Sequence, residues 1–151
     1  MIPLDEIRAA AAAIAGEAVL TPVLRSDELD VLAGATVLAK DESRQRTGSF
    51  KFRGAFTRVS AIPLDERHLG VVAVSSGNHG AAVACAAEIL GIEATVHVPA
   101  DVAPAKRALI EGFGARIVTF DRATPDREAA ARQQVATTGA TFVHPFEDPL
   151  V

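Results

Sequence analysis

Beyond residue 70 one pattern of apolar and polar positions recurs along the chain. Val71-Val72-Ala73-Val74 is an unbroken apolar run, followed by a glycine-containing turn and an alanine-rich stretch to Leu90. Ala94 to Val98 is a second run, with Pro99 and a helical stretch to Phe113 after it. Arg116-Ile117-Val118-Thr119-Phe120 is a third run and Thr141-Phe142-Val143 a fourth, separated by a helical stretch that Pro125 opens. Gly91, Gly114 and Gly139 each stand shortly before a β-branched run, where the C-terminus of a helix calls for a left-handed residue. Short strands alternating with helices require crossover connections and predict a parallel sheet. Because the runs are apolar throughout rather than alternating, helices are expected on both faces. The fold class is α/β with an open parallel sheet. His79 to Leu90 is small and apolar all round, which predicts a buried helix with Cys85 as a packing residue rather than a reactive thiol.

The first half has a different pattern. An amphipathic helix is expected near Asp5 to Ala15, an extended segment over Leu20-Thr21-Pro22-Val23-Leu24, and a strand over Thr36 to Ala39. A polar loop from Lys40 to Ser49 leads into a helix from Phe50 to Ala61. There Phe52, Ala55, Phe56 and Val59 follow the i, i+3, i+4, i+7 spacing of a buried helix face. Pro63 to His68 is the best candidate for a junction between two lobes.

Composition narrows the function classes. The 151 residues are 49% hydrophobic and 23% charged, enough to bury a core and too apolar for a disordered chain. A net charge of −4 argues against a nucleic-acid or anionic-membrane binder. One cysteine excludes internal disulfides and thiolate metal sites and fits a reducing compartment. The four histidines lack ligand-like spacing, so no metal site is expected. His97 and His144 are read as hydrogen-bonded structural residues. No secretory signal is visible and no apolar stretch approaches the ~20 residues of a membrane span. A soluble, cytoplasmic protein is the expectation.

Two places can carry chemistry. In Thr47-Gly48-Ser49-Phe50-Lys51-Phe52-Arg53-Gly54, Ser49 is a plausible N-cap and places Lys51 in the first helical turn. A cation there opposes the helix dipole at a cost of roughly 0.3–1 kcal/mol. At about 1.36 kcal/mol per unit, that lowers an amine pKa by less than one unit. A nucleophilic Lys51 therefore needs desolvation, which the flanking Phe50 and Phe52 can supply; otherwise it is an exposed lysine at a helix start. Gly54, one turn on, implies a packing or ligand reason. The second place is Ser75-Ser76-Gly77-Asn78-His79-Gly80, between an apolar strand and the buried helix. Ligands of parallel sheets bind beyond the carboxyl ends of the strands, and free amides at a helix N-terminus suit an anion. A plain turn with tight glycines is the alternative. Neither a GxxxxGK[ST] loop nor a dinucleotide fingerprint is present, since Gly112-Phe113-Gly114 follows a helix. Arg127 is a third candidate. With Thr124 as N-cap and Pro125 at the first helical position it falls in a first turn, where Asp126 and Glu128 can also simply neutralise it.

The pair Lys40-x-Glu42-x-x-Gln45-x-Thr47-Gly48-Ser49-Phe50-Lys51-x-Arg53-Gly54-Ala55 and Ser75-Ser76-Gly77-Asn78-His79-Gly80 resembles the threonine/serine dehydratase and serine racemase family, fold-type II pyridoxal-phosphate enzymes. The likeness runs from about residue 20 to the end of the chain. Threonine synthases usually carry an acidic residue where Phe52 stands, and cysteine synthase-like enzymes a threonine where His79 stands. Both differences favour the dehydratase and racemase branch.

The resemblance implies pyridoxal 5'-phosphate as cofactor, bound through its aldehyde to Lys51, with Phe50 against its ring and Asn78 on its phenolic oxygen. It implies that Ser75, Asn78, His79 and Arg127 hold the carboxylate of a small amino-acid substrate. Lys51, once freed, would remove the Cα proton, and Ser76 would move a proton on the opposite face. The implied activity is dehydration of threonine or serine to a 2-oxo acid and ammonia, with serine racemisation as the alternative. A non-catalytic module that binds a small carboxylate is the alternative of another class. The resemblance assigns residues 1–70 to a larger lobe, 71–147 to a smaller one, and 148–151 to the return to the larger. Family members are about twice as long and homo-oligomers are expected. The cofactor's phosphate loop is expected beyond Val151, so the 151 residues alone are not expected to be a competent enzyme.

Overall fold

The computed structural model describes residues 2–123 and 125–151. Its centre is a four-stranded parallel sheet in the order β5-β4-β3-β6, built from β3 (Val71–Val74), β4 (Ala94–Pro99), β5 (Arg116–Phe120) and β6 (Thr141–Phe142). All residues of β3 and β4 are buried, as unbroken apolar runs in the middle of a covered sheet should be. Alternate side chains separate two layers. Val71 and Ala73 join one core with α3 (Lys51–Ser60), α4 (Asn78–Leu90) and α5 (Pro104–Gly112), whereas Val72 and Val74 meet Ala131 and Val135 of α6 (Ala129–Thr138). The expected α/β class, with helices on both faces, is what the chain forms.

The strand order reverses beside β3. From β3 the chain steps outward to β4 and β5, then returns to place β6 on the other side of β3, in register Val71↔Thr141 and Val72↔Phe142. Such a reversal opens a crevice at the carboxyl ends of the two central strands. The helix that starts there, α4, is buried from His79 through Ala87. It lies close to the sheet because of Gly80, where a Cβ would come within 2.9 Å of Val96 Cγ1.

α3 packs against α4 through Phe52, Ala55, Phe56 and Val59, all in the same core as the sheet. The remaining N-terminal elements are α1 (Leu4–Ala13), α2 (Asp27–Ala33) and a small antiparallel pair, β1 (Val23–Arg25) with β2 (Leu38–Lys40). None of these four contains a buried residue.

Three local expectations fail. The helix α2 is not anticipated, although Ser26 caps it by accepting from the Leu29 amide and Gly34 ends it at φ 64°. Ser49 does not cap α3: Phe50 occupies the cap position, and the buried Ser49 hydroxyl has no hydrogen-bond partner among the described residues. α6 begins at Ala129 rather than Pro125, which leaves Arg127 in the preceding turn and not in a first helical turn. The Asp126 carboxylate accepts from the Glu128 amide at 3.1 Å, a local turn that competes with helix and postpones it. The expected cap, Thr124, lies outside the described residues.

Candidate functional site

The loop before α3 is wound tightly. Thr47 and Gly48 both adopt left-handed backbone, at φ 65° and 71°, a costly conformation for a β-branched residue. It is held from outside by polar side chains. Gln45 accepts from the Val19 amide and donates to the Val19 carbonyl, each at 2.9 Å. Glu42 receives the Thr21 hydroxyl at 2.6 Å and both arms of the Arg53 guanidinium at 2.8 Å. These bonds, led by Arg53, hold the Glu42 carboxyl down at about 2. The motif positions Glu42, Gln45 and Arg53 thus fasten residues 19–21 to the loop that launches Lys51.

Lys51 is half-buried, and its Nζ donates to the Pro145 carbonyl at 2.5 Å. That nitrogen stands 5.4 Å from the centroid of the Phe50 ring, which is itself 60% exposed. Pro145 follows β6, so the lysine of α3 is anchored at the exit of the strand next to β3. His79 is tied to the same exit: its Nε2 donates to the Val143 carbonyl at 2.9 Å. A carbonyl only accepts, so the proton sits on Nε2 and the buried Nδ1 is a lone pair without a partner among the described residues. Burial pushes the imidazole pKa down, with the nearby Lys51 charge adding to the effect. The ring is 4% exposed and bonded to Val143, which holds it within the core.

The loop between β3 and α4 is set by its own bonds. The Ser75 amide donates to the His97 carbonyl at 2.9 Å, and the Gly77 amide to Ser75 Oγ at 3.2 Å. Ser76 and Asn78 are exposed, and the first amides of α4 have no acceptor within the helix. A cavity of about 360 Å³ opens at the carboxyl ends of the strands. Its walls include Ser75, Ser76, Arg127, Arg122 and Pro145. The structure thus brings Ser75, Ser76 and Arg127 to one cavity and shares Pro145 between that cavity and Lys51.

Sequence reasoning missed four contributors. The Pro145 and Val143 carbonyls carry no residue-type signal, because any residue supplies one. Arg122 follows β5 by two positions and was readable only once the strand's end was placed. Lys106, on the first turn of α5, reaches the loop so closely that a Cβ at Gly77 would lie 3.0 Å from its Nζ. Gly54 has a packing reason: a Cβ there would fall 2.5 Å from the Val151 carbonyl carbon. Cys85 is buried, which raises its pKa and removes it from the chemistry, as expected. His97 and His144 have structural partners, Gln134 for the first and the Phe146 and Glu147 amides for the second.

Residues 14–151 match the family described as pyridoxal-phosphate dependent enzyme. The chain belongs to this family. It is 44% identical over 140 residues to an L-threo-3-hydroxyaspartate ammonia-lyase from a Pseudomonas species, covering 93% of this chain and 44% of that one. It is 40% identical to the L-threonine ammonia-lyase of Thermotoga maritima, covering all of this chain and 38% of the relative. Among solved structures, maize serine racemase superposes with a TM-score of 0.91 at 35% identity, covering 97% of this chain and 45% of that one. The chain therefore spans less than half the length of the relatives it matches. The fold is that of fold-type II pyridoxal-phosphate enzymes, N-terminal part.

The residues present suit such a cofactor. A half-buried amine stands beside an open aromatic face, and the strained turn before it carries two buried hydroxyls without partners among the described residues, Thr47 Oγ1 and Ser49 Oγ. Among the described residues no cluster of three or more metal-ligating side chains occurs. No helix there is long and apolar enough to cross a membrane.

Proposed function

We propose that this chain is the lysine- and carboxylate-binding part of a pyridoxal-phosphate dependent ammonia-lyase acting on small β-hydroxy amino acids. One observation carries the reading. Lys51 and the Ser75–Gly80 loop, far apart in sequence, are tied to two carbonyls of the same strand exit, those of Pro145 and Val143. In this reading Lys51 would hold the cofactor through its aldehyde, with Phe50 and Asn78 as the residues that would hold its ring and its phenolic oxygen. The cofactor supplies an electron sink for charge developing at Cα. The protein's own work is to orient and to move protons. Ser75, Asn78, the free amides at the start of α4 and Arg127 grip the substrate carboxylate. His79 contributes through its amide, because its ring is spent on Val143. Lys51 Nζ would take the Cα proton. The net reaction converts a hydroxy amino acid to a 2-oxo acid and ammonia.

A second reading, serine racemisation, is favoured by Ser76, which lines the cavity with an exposed hydroxyl able to serve the opposite face. The two-lobe division at residues 70 and 147 belongs to the same proposal, with α3 as the element that bridges it to the sheet. A cytoplasmic location and a homo-oligomer of the whole enzyme complete it. In the complete holoenzyme, Lys51→Ala is expected to abolish 2-oxo acid release from serine, threonine and 3-hydroxyaspartate. Ser76→Ala is expected to spare that release while eliminating any D-serine formation. Full turnover by Lys51→Ala contradicts the reading and favours the binding-module alternative.

A further inference from the structure

The crevice has more positive charge than one carboxylate needs. Arg127 and Arg122 both line the 360 Å³ cavity with Ser75 and Ser76, and Lys106 Nζ stands against Gly77 of the same loop. The helix-terminal amides, two hydroxyls and Arg127 already suffice for the α-carboxylate of any amino acid. Arg122 is then left over.

Its placement is not that of a stabilising ion pair. Arg122 meets Asp101 through Nε alone, at 2.7 and 2.9 Å to the two carboxylate oxygens, and both side chains are more than half exposed. Pairs of that kind contribute little to stability. The contact occupies the inner edge of the guanidinium, and among the described residues its terminal nitrogens have no hydrogen-bond partner, so they can offer a fork to a second planar anion. Asp101 therefore acts to aim Arg122.

We propose that Arg122 is a specificity-determining residue that binds the side-chain carboxylate of a β-hydroxy-α-amino diacid. This deepens the ammonia-lyase reading above and rests on it. In a diacid of this class the Cα–H and Cβ–O bonds break, and the hydroxyl departs as water. One water then adds at Cα as the C–N bond breaks, so the net change is loss of one ammonia, with a 2-oxo diacid left and no oxidant or reductant needed. Discrimination arises because a substrate lacking the second carboxylate leaves the Arg122 fork without its anion.

The test compares Arg122→Gln and Arg122→Lys with the wild-type holoenzyme, using threo-3-hydroxyaspartate, serine and threonine. The diacid-to-serine ratio of kcat/KM is expected to fall tenfold or more in Arg122→Gln, mainly through KM. Arg122→Lys should fall between the two, since it keeps the charge and loses the fork. A ratio that does not move, or equal losses on all three substrates, overturns the assignment. Binding separates this from the parent reading, because it needs no turnover. Calorimetric titration should show succinate binding at least tenfold tighter than butyrate, and Arg122→Gln should erase the difference. Equal binding of the two acids by wild type overturns the assignment even if the enzyme is active. Absence of 2-oxo acid from every substrate, with succinate still preferred, instead sinks the lyase reading alone.

Discussion

The sheet with its helices and the segment before Lys51 are built on different principles. Residues 71 to 143 bury unbroken apolar runs, and Val72, Val83, Val96, Val98 and Val143 are fully inaccessible. Residues 2 to 46 leave Leu20 93% exposed and turn Val31, Leu32 and Leu38 outward as well. They are held instead by a few directional bonds through Gln45, Glu42 and Arg53. One region is stabilised by area removed from water, the other by polar geometry. Damage to them should differ in kind as well as in size.

The largest effect is expected in the core that joins α3 to α4. Phe52 is wholly buried, so Phe52→Ala should cost about 3–5 kcal/mol, read from denaturant unfolding. A cost below about 1 kcal/mol would mean that α3 is not part of the sheet's core. The polar clamp comes next. Glu42→Gln removes the carboxylate from the Arg53 fork and should cost about 1–3 kcal/mol. Faster hydrogen exchange should be confined to residues 17–25 and the loop before Lys51. Exchange that quickens equally across β3 and β4 would erase the contrast between the regions.

Acid should separate the two regions further. The Glu42 carboxyl lies at about 2 in the folded chain, below its ordinary value of 4.5. Its stabilisation is therefore fully present above pH 4.5 and is lost as pH falls toward 2; Glu42→Gln should abolish that dependence. His79 acts at higher pH. Burial lowers its pKa from the ordinary 6.5, so the unfolded state takes up a proton first and stability declines as pH drops below 6.5. His79→Gln should flatten that decline. The smallest expected effect is chemical: Cys85, buried mid-helix, should resist thiol reagents until the chain unfolds.

The same contrast explains what was legible in the sequence. Strands β3 to β5 and helix α4 follow from apolar runs and closing glycines, because burial imposes those patterns directly. Gly91 and Gly139 do end helices, at φ 66° and 76°. Helix α2 has caps but no buried face, so periodicity had nothing to detect. The Ser49 cap failed because the left-handed Thr47-Gly48 turn delivers the chain to Phe50 in helical conformation, which leaves the hydroxyl buried and unused. In the crevice, Lys51 and the Ser75–Gly80 loop were readable from residue type. Their common anchorage was not, because it is made by main-chain carbonyls of Val143 and Pro145. Arg122 and Lys106 needed the strand order before their charges could be placed beside that loop.

In the reading proposed above, the Lys51 amine is the group that holds the cofactor. Borohydride reduction of the complete, cofactor-loaded protein followed by peptide mass mapping tests it directly. A pyridoxyl adduct on the peptide containing Lys51, and none on Lys40 or Lys106, is the predicted result. An adduct elsewhere, or an unmodified Lys51 under saturating cofactor, contradicts it.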